Sequence, residues 1–168
     1  IARLIYPKWI VRVHMDQASY DGYVDLWEGL RGIIQTEICE DAPLTKAMLW
    51  RMKPLYDPRV DRFICRDLDS PLTYREAQAV RQWEDSGKAA HSIHDSISHD
   101  IKMLGGMVGF TKYIRDYLQS GTWDKLMSKG ANYERKGADQ DLLCQFVHER
   151  ISSTDKQSIL RHTFLGYV

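Results

Sequence analysis

In the stretch 60–70 a short apolar run ends in two aspartates one residue apart, Asp67 and Asp69, and Ser70-Pro71 stops it. In an extended chain residues i and i+2 project to the same side, so the two carboxylates can share one ligand. They repel each other unless a cation lies between them. Hard divalent ions such as Mn²⁺ or Mg²⁺ are held by a few carboxylates together with substrate phosphates, in sites open to substrate. The pair points to a metal–phosphate site at the end of a buried strand. The competing reading is a turn whose aspartates cap backbone groups or face water.

Two further polar clusters share this character. Gly105-Gly106 lies inside the apolar run 102–110, which marks a strand where something packs against bare backbone. Asp139-Gln140-Asp141 opens an apolar helix over 142–150; acidic residues there also suit the positive end of a helix dipole. Ligands of α/β domains gather at the carboxyl ends of strands, where all three clusters are expected.

The elements that must position them alternate in type. Residues 9–14 and 33–38 have strand composition, as does 90–95. Between the first two, Ser19 can cap a helix carrying Tyr23, Leu26, Trp27 and Leu30 and closed near Gly32. A helix over 44–56 places Met48, Leu49, Met52 and Leu55 on one side, with Trp50 and Arg51 beside them. Thr73 and Glu76 form a capping box for a helix that Gly87 ends. Residues 96–100 read as a polar loop, 111–120 and 122–128 as helices, and 129–137 as a basic, flexible stretch. Residues 1–6 read as the tail of a helix ended by Pro7, so the chain is expected to be part of a longer protein. Strands alternating with helices point to an α/β layered domain with a mixed or parallel sheet.

The runs Ala-Met-Leu-Trp-Arg-Met-Lys-Pro-Leu at 47–55, then 57–61, then 63–70 resemble the helix, link, strand and Asp-x-Asp core of nucleotide-sugar glycosyltransferases with the GT-A fold. Gly-Gly-Met-Val-Gly at 105–109 and Ala-Asp-Gln-Asp-Leu-Leu at 138–143 are similar to the later motifs of its glycogenin-like and lipopolysaccharide galactosyltransferase-like branch. The resemblance implies one α/β domain over 1–168, with a mixed, mostly parallel central sheet flanked by helices and without its first strand. It implies Mn²⁺ or Mg²⁺ held directly by Asp69, with Asp67 reaching the ribose or the metal through water and His162 as a third ligand. Arg51, Asp67, Gly105 and Gly106 would bind the donor, and Gln140 or Asp139 would lie near the anomeric carbon. The branch implies retention of configuration; an inverting enzyme would need a carboxylate base, for which Asp141, Asp95 or Asp100 could serve. The implied partners are a nucleoside diphosphate sugar and a glycan or other hydroxyl acceptor. A degenerate, inactive domain that binds a sugar or a partner, and another metal-dependent phosphoryl enzyme, are the competing functions.

Other residues carry weaker signals. Lys129, Arg135 and Lys136 could clamp phosphate, though solvated loop charges account for them as well. His91, His94 and His99 with Asp95 and Asp100 match no metal-site spacing, and a surface or acceptor-groove role is expected. Trp50 and Trp83 read as packing residues. At 168 residues, 43% hydrophobic and 27% charged, the chain has the values of one globular domain. A formal net charge of zero argues against a broad nucleic-acid surface, and no apolar run has the length of a membrane span. Cys39, Cys65 and Cys144 are odd in number and widely spaced, which favours reduced thiols in a cytoplasmic setting.

Overall fold

The computed structural model describes residues 1–96, 101–114, 118, 121, 124, 125, 128, 137–149, 151 and 159–163. The expected helices over 111–120 and 122–128 and the basic stretch 129–137 lie largely outside these residues, as do His99, Asp100, Lys129, Arg135 and Lys136. Within them the chain is α/β with mixed sheets. β1 (Val11–Met15) pairs in parallel with β2 (Ile34–Ile38). A second sheet has β3 (Arg62–Ile64) at one edge, then β5 (Val108–Thr111), β4 (Ala90–His94) and β6 (Ile159–Thr163). β5 runs against both β3 and β4, whereas β4 and β6 are parallel.

The sequence led us to expect one mostly parallel sheet; the described residues form two sheets whose ladders are half parallel and half antiparallel. The difference arises at β5, which enters between β3 and β4 from a turn and so runs against both. Parallel pairing would have required a crossover connection.

Both faces of the four-stranded sheet are covered. On one, Phe63, Cys65, Ala90, Val108 and Phe110 pack against Met52, Leu55, Leu143 and Val147. On the other, Ile64 and Leu160 pack with Trp83, Val80 and Ala77 of α5 (Tyr74–Ser86) and with Ile5 and Tyr6 of α1 (Ala2–Ile5). Strict alternation along β3 sends Phe63 to one core and Ile64 to the other. β4 is buried at all five positions, which is why its two histidines are internal rather than on the surface.

α5 forms as its sequence requires. Thr73 Oγ1 accepts from the Glu76 N–H at 3.2 Å, and Gly87 closes the helix with φ of 66°, a left-handed conformation that glycine adopts without strain. The helix expected from Ser19 divides instead into α2 (Gln17–Gly22) and α3 (Val24–Gly29). Its cap is Asp16, whose carboxylate accepts from the Ser19 N–H at 2.6 Å; Gly22, costly inside a helix, marks the break. Neither short helix buries a residue, so no packing face holds them as one. The 44–56 segment is α-helical over Leu44–Met48 (α4) and then tightens to 3₁₀ over Leu49–Tyr56. Pro54 lacks a donor, and in an α-helix its ring would press on the carbonyl four residues back; the tighter winding relieves that clash. The last helix begins as α6 (Ala138–Leu143) and widens to a π-turn over Cys144–His148. No described helix is long and apolar enough to cross a membrane.

Candidate functional site

Gly105 and Gly106 lie in a turn, not in a strand as expected: the Met107 N–H donates to the Leu104 carbonyl at 2.9 Å, and β5 begins at Val108. Carboxylates on both sides explain the two glycines. A Cβ on Gly106 would collide with the Asp67 carboxylate, and one on Gly105 would sit 2.7 Å from Asp139 Oδ2 and 3.3 Å from Arg51 Nη1. The turn is therefore clamped between the segment after β3 and the first turn of α6, with Arg51 of the 3₁₀ helix against it. Three stretches read separately in the sequence meet here.

Arg51 joins them electrostatically. Its Nε donates to the Met48 carbonyl at 2.9 Å, which aims the guanidinium, and its Nη1 reaches Asp67 Oδ1 at 2.8 Å. The Asp67 side chain is 48% exposed, so solvent weakens this ion pair and a ligand can compete for the carboxylate. Asp139 is only 1% exposed. Burial pushes its carboxyl above the usual carboxylate range, against the pull of Arg51 and of nearby backbone N–H groups. Among the described residues, Asp139 Oδ1 and Gln140 Oε1 are buried acceptors with no hydrogen-bond donor. Buried acceptors normally have partners, and sugar hydroxyls are donors of the required kind. Beside them is a pocket of about 380 Å³ lined by Asp67, Gly105, Gly106, Gln140, Asp95 and the first turn of α5, within the size range of small-ligand sites.

The remaining candidates lie apart from this contact. Asp69 is exposed, two residues along a turn that the Ser70 N–H closes onto the Asp67 carbonyl at 3.2 Å. Asp141 is exposed on the outer side of α6. His162 lies in β6 opposite Ile93 of β4, its ring edge-on to His91 at 5.6 Å, and His91 stacks on Trp83 at 4.5 Å. That is the α5 face of the sheet, whereas Asp67 and Asp139 meet Arg51 of the 3₁₀ helix on the other. His91 and His94 are 0% and 3% exposed, so the surface role expected for them does not hold. His94 Nε2 lies 2.9 Å from the Ser92 hydroxyl, and His91 is part of the α5 core. Trp50 and Trp83 are both buried packing residues.

The chain turns at 67–70 instead of continuing extended, so the expected same-side projection of Asp67 and Asp69 is not what the backbone shows. Two such carboxylates are of the type that suits a hard cation keeping several waters and taking further oxygens from a diphosphate. Among the described residues no group of three or more His, Cys, Asp or Glu side chains gathers round a point. Sequence reasoning missed Arg66, which lies between the buried Cys65 and Asp67. Its guanidinium bonds Glu76 of α5 and stands beside the Tyr6 hydroxyl, tying the Asp67 turn to the helix. An arginine directly after Phe63-Ile64-Cys65 was the signal, because a charge that follows a buried apolar run needs a partner. Comparison with known protein families, curated proteins and solved structures finds no match for this chain.

Proposed function

We propose that this chain is a metal-dependent glycosyltransferase that moves a sugar from a nucleoside diphosphate donor to a hydroxyl acceptor with retention of configuration. The observation that carries the reading is a pocket lined by Asp67, the Gly105-Gly106 turn and Gln140, with Asp139 packed against Gly105 and two buried acceptors, Asp139 Oδ1 and Gln140 Oε1, lacking donors. The carboxylates of Asp67 and Asp69 would hold Mn²⁺ or Mg²⁺, which supplies Lewis-acid stabilisation of the diphosphate leaving group. Gly105 and Gly106, having no Cβ, let the Asp67 and Asp139 carboxylates close on the turn beside the donor pocket. Arg51 orients Asp67 and contributes positive charge where negative charge grows. Asp139 Oδ1 and Gln140 Oε1 accept hydrogen bonds from sugar hydroxyls and fix the anomeric carbon relative to the acceptor.

Calorimetric titration of UDP and GDP, with and without Mn²⁺, tests the reading on the parent and on Asp69→Ala. Mn²⁺-dependent binding of one nucleotide, weakened about tenfold or more by the substitution, is expected, since a charge-assisted metal contact contributes at least 1.4 kcal/mol on this scale. Binding that ignores both the metal and the substitution, or no binding of either nucleotide, would sink it. A sugar that binds while nucleotide does not would identify a degenerate, non-catalytic domain instead.

A further inference from the structure

Lys53 Nζ makes two contacts of different kinds. It meets Glu37 Oε1 at 2.6 Å and donates to Cys39 Sγ at 3.6 Å. Glu37 lies in β2 and Cys39 directly follows that strand, whereas Lys53 belongs to the 3₁₀ helix. Backbone groups fix the cysteine in place: its N–H donates to the Met15 carbonyl at 2.7 Å, and its thiol lies 3.8 Å from the Glu37 carbonyl. Cys39 is buried, while the Lys53 and Glu37 side chains are each 33% exposed. A thiol, an amine and a carboxylate therefore converge, with the amine and the carboxylate reachable from solvent.

An ion pair alone would account for Lys53 and Glu37; it does not call for a sulfur beside the ammonium. The other cysteine of the same neighbourhood is placed differently. Burial pushes the Cys65 thiol up to about 11, and that thiol donates to the Arg51 carbonyl at 3.4 Å. Burial raises the Cys39 thiol too, but the Lys53 ammonium in contact with it pulls the other way. The thiolate is the reactive form, so of these two cysteines Cys39 has the more reactive setting. Burial draws Lys53 down, yet Glu37 and Cys39 hold it above its ordinary range, so the resting side chain is an ammonium. Its nitrogen becomes a nucleophile only when a proton leaves, and Glu37 stands where that proton would go.

We infer that Cys39 and Lys53 form a redox modification site, which hydrogen peroxide closes into a covalent sulfur–nitrogen cross-link. The Cys39 sulfur attacks one peroxide oxygen; the O–O bond breaks, a sulfenic acid forms, and the second oxygen leaves as water with the thiol proton. Lys53 passes one proton to Glu37 and attacks that sulfur. The N–S bond forms as the S–O bond breaks, and the departing hydroxyl takes the second amine proton as a further water. Sulfur has lost two electrons and the peroxide has gained them. Two equivalents of an external thiol reverse the change, releasing Cys39 and Lys53 and becoming a disulfide. The link fastens the end of β2 to the 3₁₀ helix two residues from Arg51, whose Nη1 holds Asp67 at 2.8 Å, so oxidation bears on the pocket from outside it. The inference stands on Cys39, Lys53 and Glu37 and is independent of the transfer reaction.

The probe is hydrogen peroxide on the full folded chain, without nucleotide or metal, followed by unfolding without reductant, trypsin digestion and mass spectrometry. Lys53 precedes Pro54 and is left uncut, so Cys39 falls in peptide 32–46 and Lys53 in peptide 52–59. The two should appear joined at about 2 Da below their combined mass, because two hydrogens are lost, and dithiothreitol should separate them. Cys39→Ser should abolish the joined pair. Lys53→Arg keeps a cation beside Glu37 and Cys39 but supplies no nucleophilic amine, so a dimedone adduct on Cys39 should replace the cross-link. Joined peptides at about 14 Da above the combined mass would retain an oxygen between nitrogen and sulfur and overturn the direct bond. Cys39 oxidised but unjoined in the parent, joined to Cys65 or Cys144 instead, or untouched while methionines oxidise, overturns the site.

Discussion

The two faces of the four-stranded sheet each hold a polar cluster, and they treat charge in opposite ways. On the 3₁₀-helix face, Asp67 and Arg51 are partly exposed, Asp139 is buried beside them, and two acceptors have no donor. On the α5 side, the largely buried Arg66 and Glu76 pair with each other where they border the same pocket, and behind Trp83 the His91 and His162 rings pack edge to face. Burial holds His91 down at about 2, and neither of its ring nitrogens has a hydrogen-bond partner among the described residues. The first cluster has chemistry left over; the second has apolar packing in place of it. Orphaned polarity alone therefore does not mark a site. An orphan beside a pocket and an exposed carboxylate does, whereas an orphan sealed under an indole serves the core.

The largest effect that would sharpen this contrast is on the packed face. Trp83→Ala should cost about 3–5 kcal/mol in urea denaturation, because it empties the centre of that core. A loss below about 1 kcal/mol would mean that α5 is not the anchor described here. On the other face, Gly106→Ala forces a Cβ into the Asp67 carboxylate. Metal-dependent nucleotide affinity should fall by about tenfold or more, with a smaller loss of stability, since a partly exposed side chain can move aside. Unchanged affinity would break the link between the turn and the site.

The pH dependence of stability should separate the faces by sign. His91 falls from its ordinary 6.5 to about 2 on folding, so the native state resists its protonation. Its contribution is complete above 6.5 and is lost as pH drops toward 2, with a slope of up to about 1.4 kcal/mol per pH unit. Asp139 is raised above its ordinary 3.8, so its contribution is present below 3.8 and is lost as pH rises through the folded value. Urea midpoints measured across pH should show a shallower acid limb for His91→Phe and a shallower alkaline-going loss for Asp139→Asn. Identical profiles for both variants and the parent would remove the electrostatic distinction. The smallest effect is Thr73→Ala, which deletes the α5 cap and should cost about 1 kcal/mol without changing nucleotide binding.

Legibility in the sequence followed how local each determinant is. The cap and stop of α5 were readable because Thr73, Glu76 and Gly87 act within a turn or two of the backbone they satisfy. Strand composition at 11–15, 34–38 and 90–94 was readable for the same reason. The division of α2 from α3 was not, because nothing in the apolar spacing of Tyr23, Leu26 and Leu30 says that no surface will meet it. Neither was the conversion of 49–56 to 3₁₀, although Pro54 was a visible cause. Among the site residues, Arg51, Asp67, Gly105, Gly106 and Asp139 were singled out in advance, and they do meet; Gln140 borders the same pocket. Asp69 and Asp141 stand in solvent, and His162 lies on the opposite face, because the face to which a turn, helix or strand directs a side chain is set by packing and not by spacing alone.

The amino-acid sequence by itself indicated the strands β1, β2 and β4, where α5 begins and ends, and which residues could carry charge to a ligand; β6 carried no such signal. These are short-range matters of propensity, capping and spacing. Only the tertiary structure decided that the glycine turn is wedged between Asp67 and Asp139, that the histidines of β4 and β6 are sealed behind Trp83, and that Lys53 stands against Cys39. Each of these depends on segments distant in sequence entering a common space, where steric fit and desolvation, rather than local preference, select the arrangement.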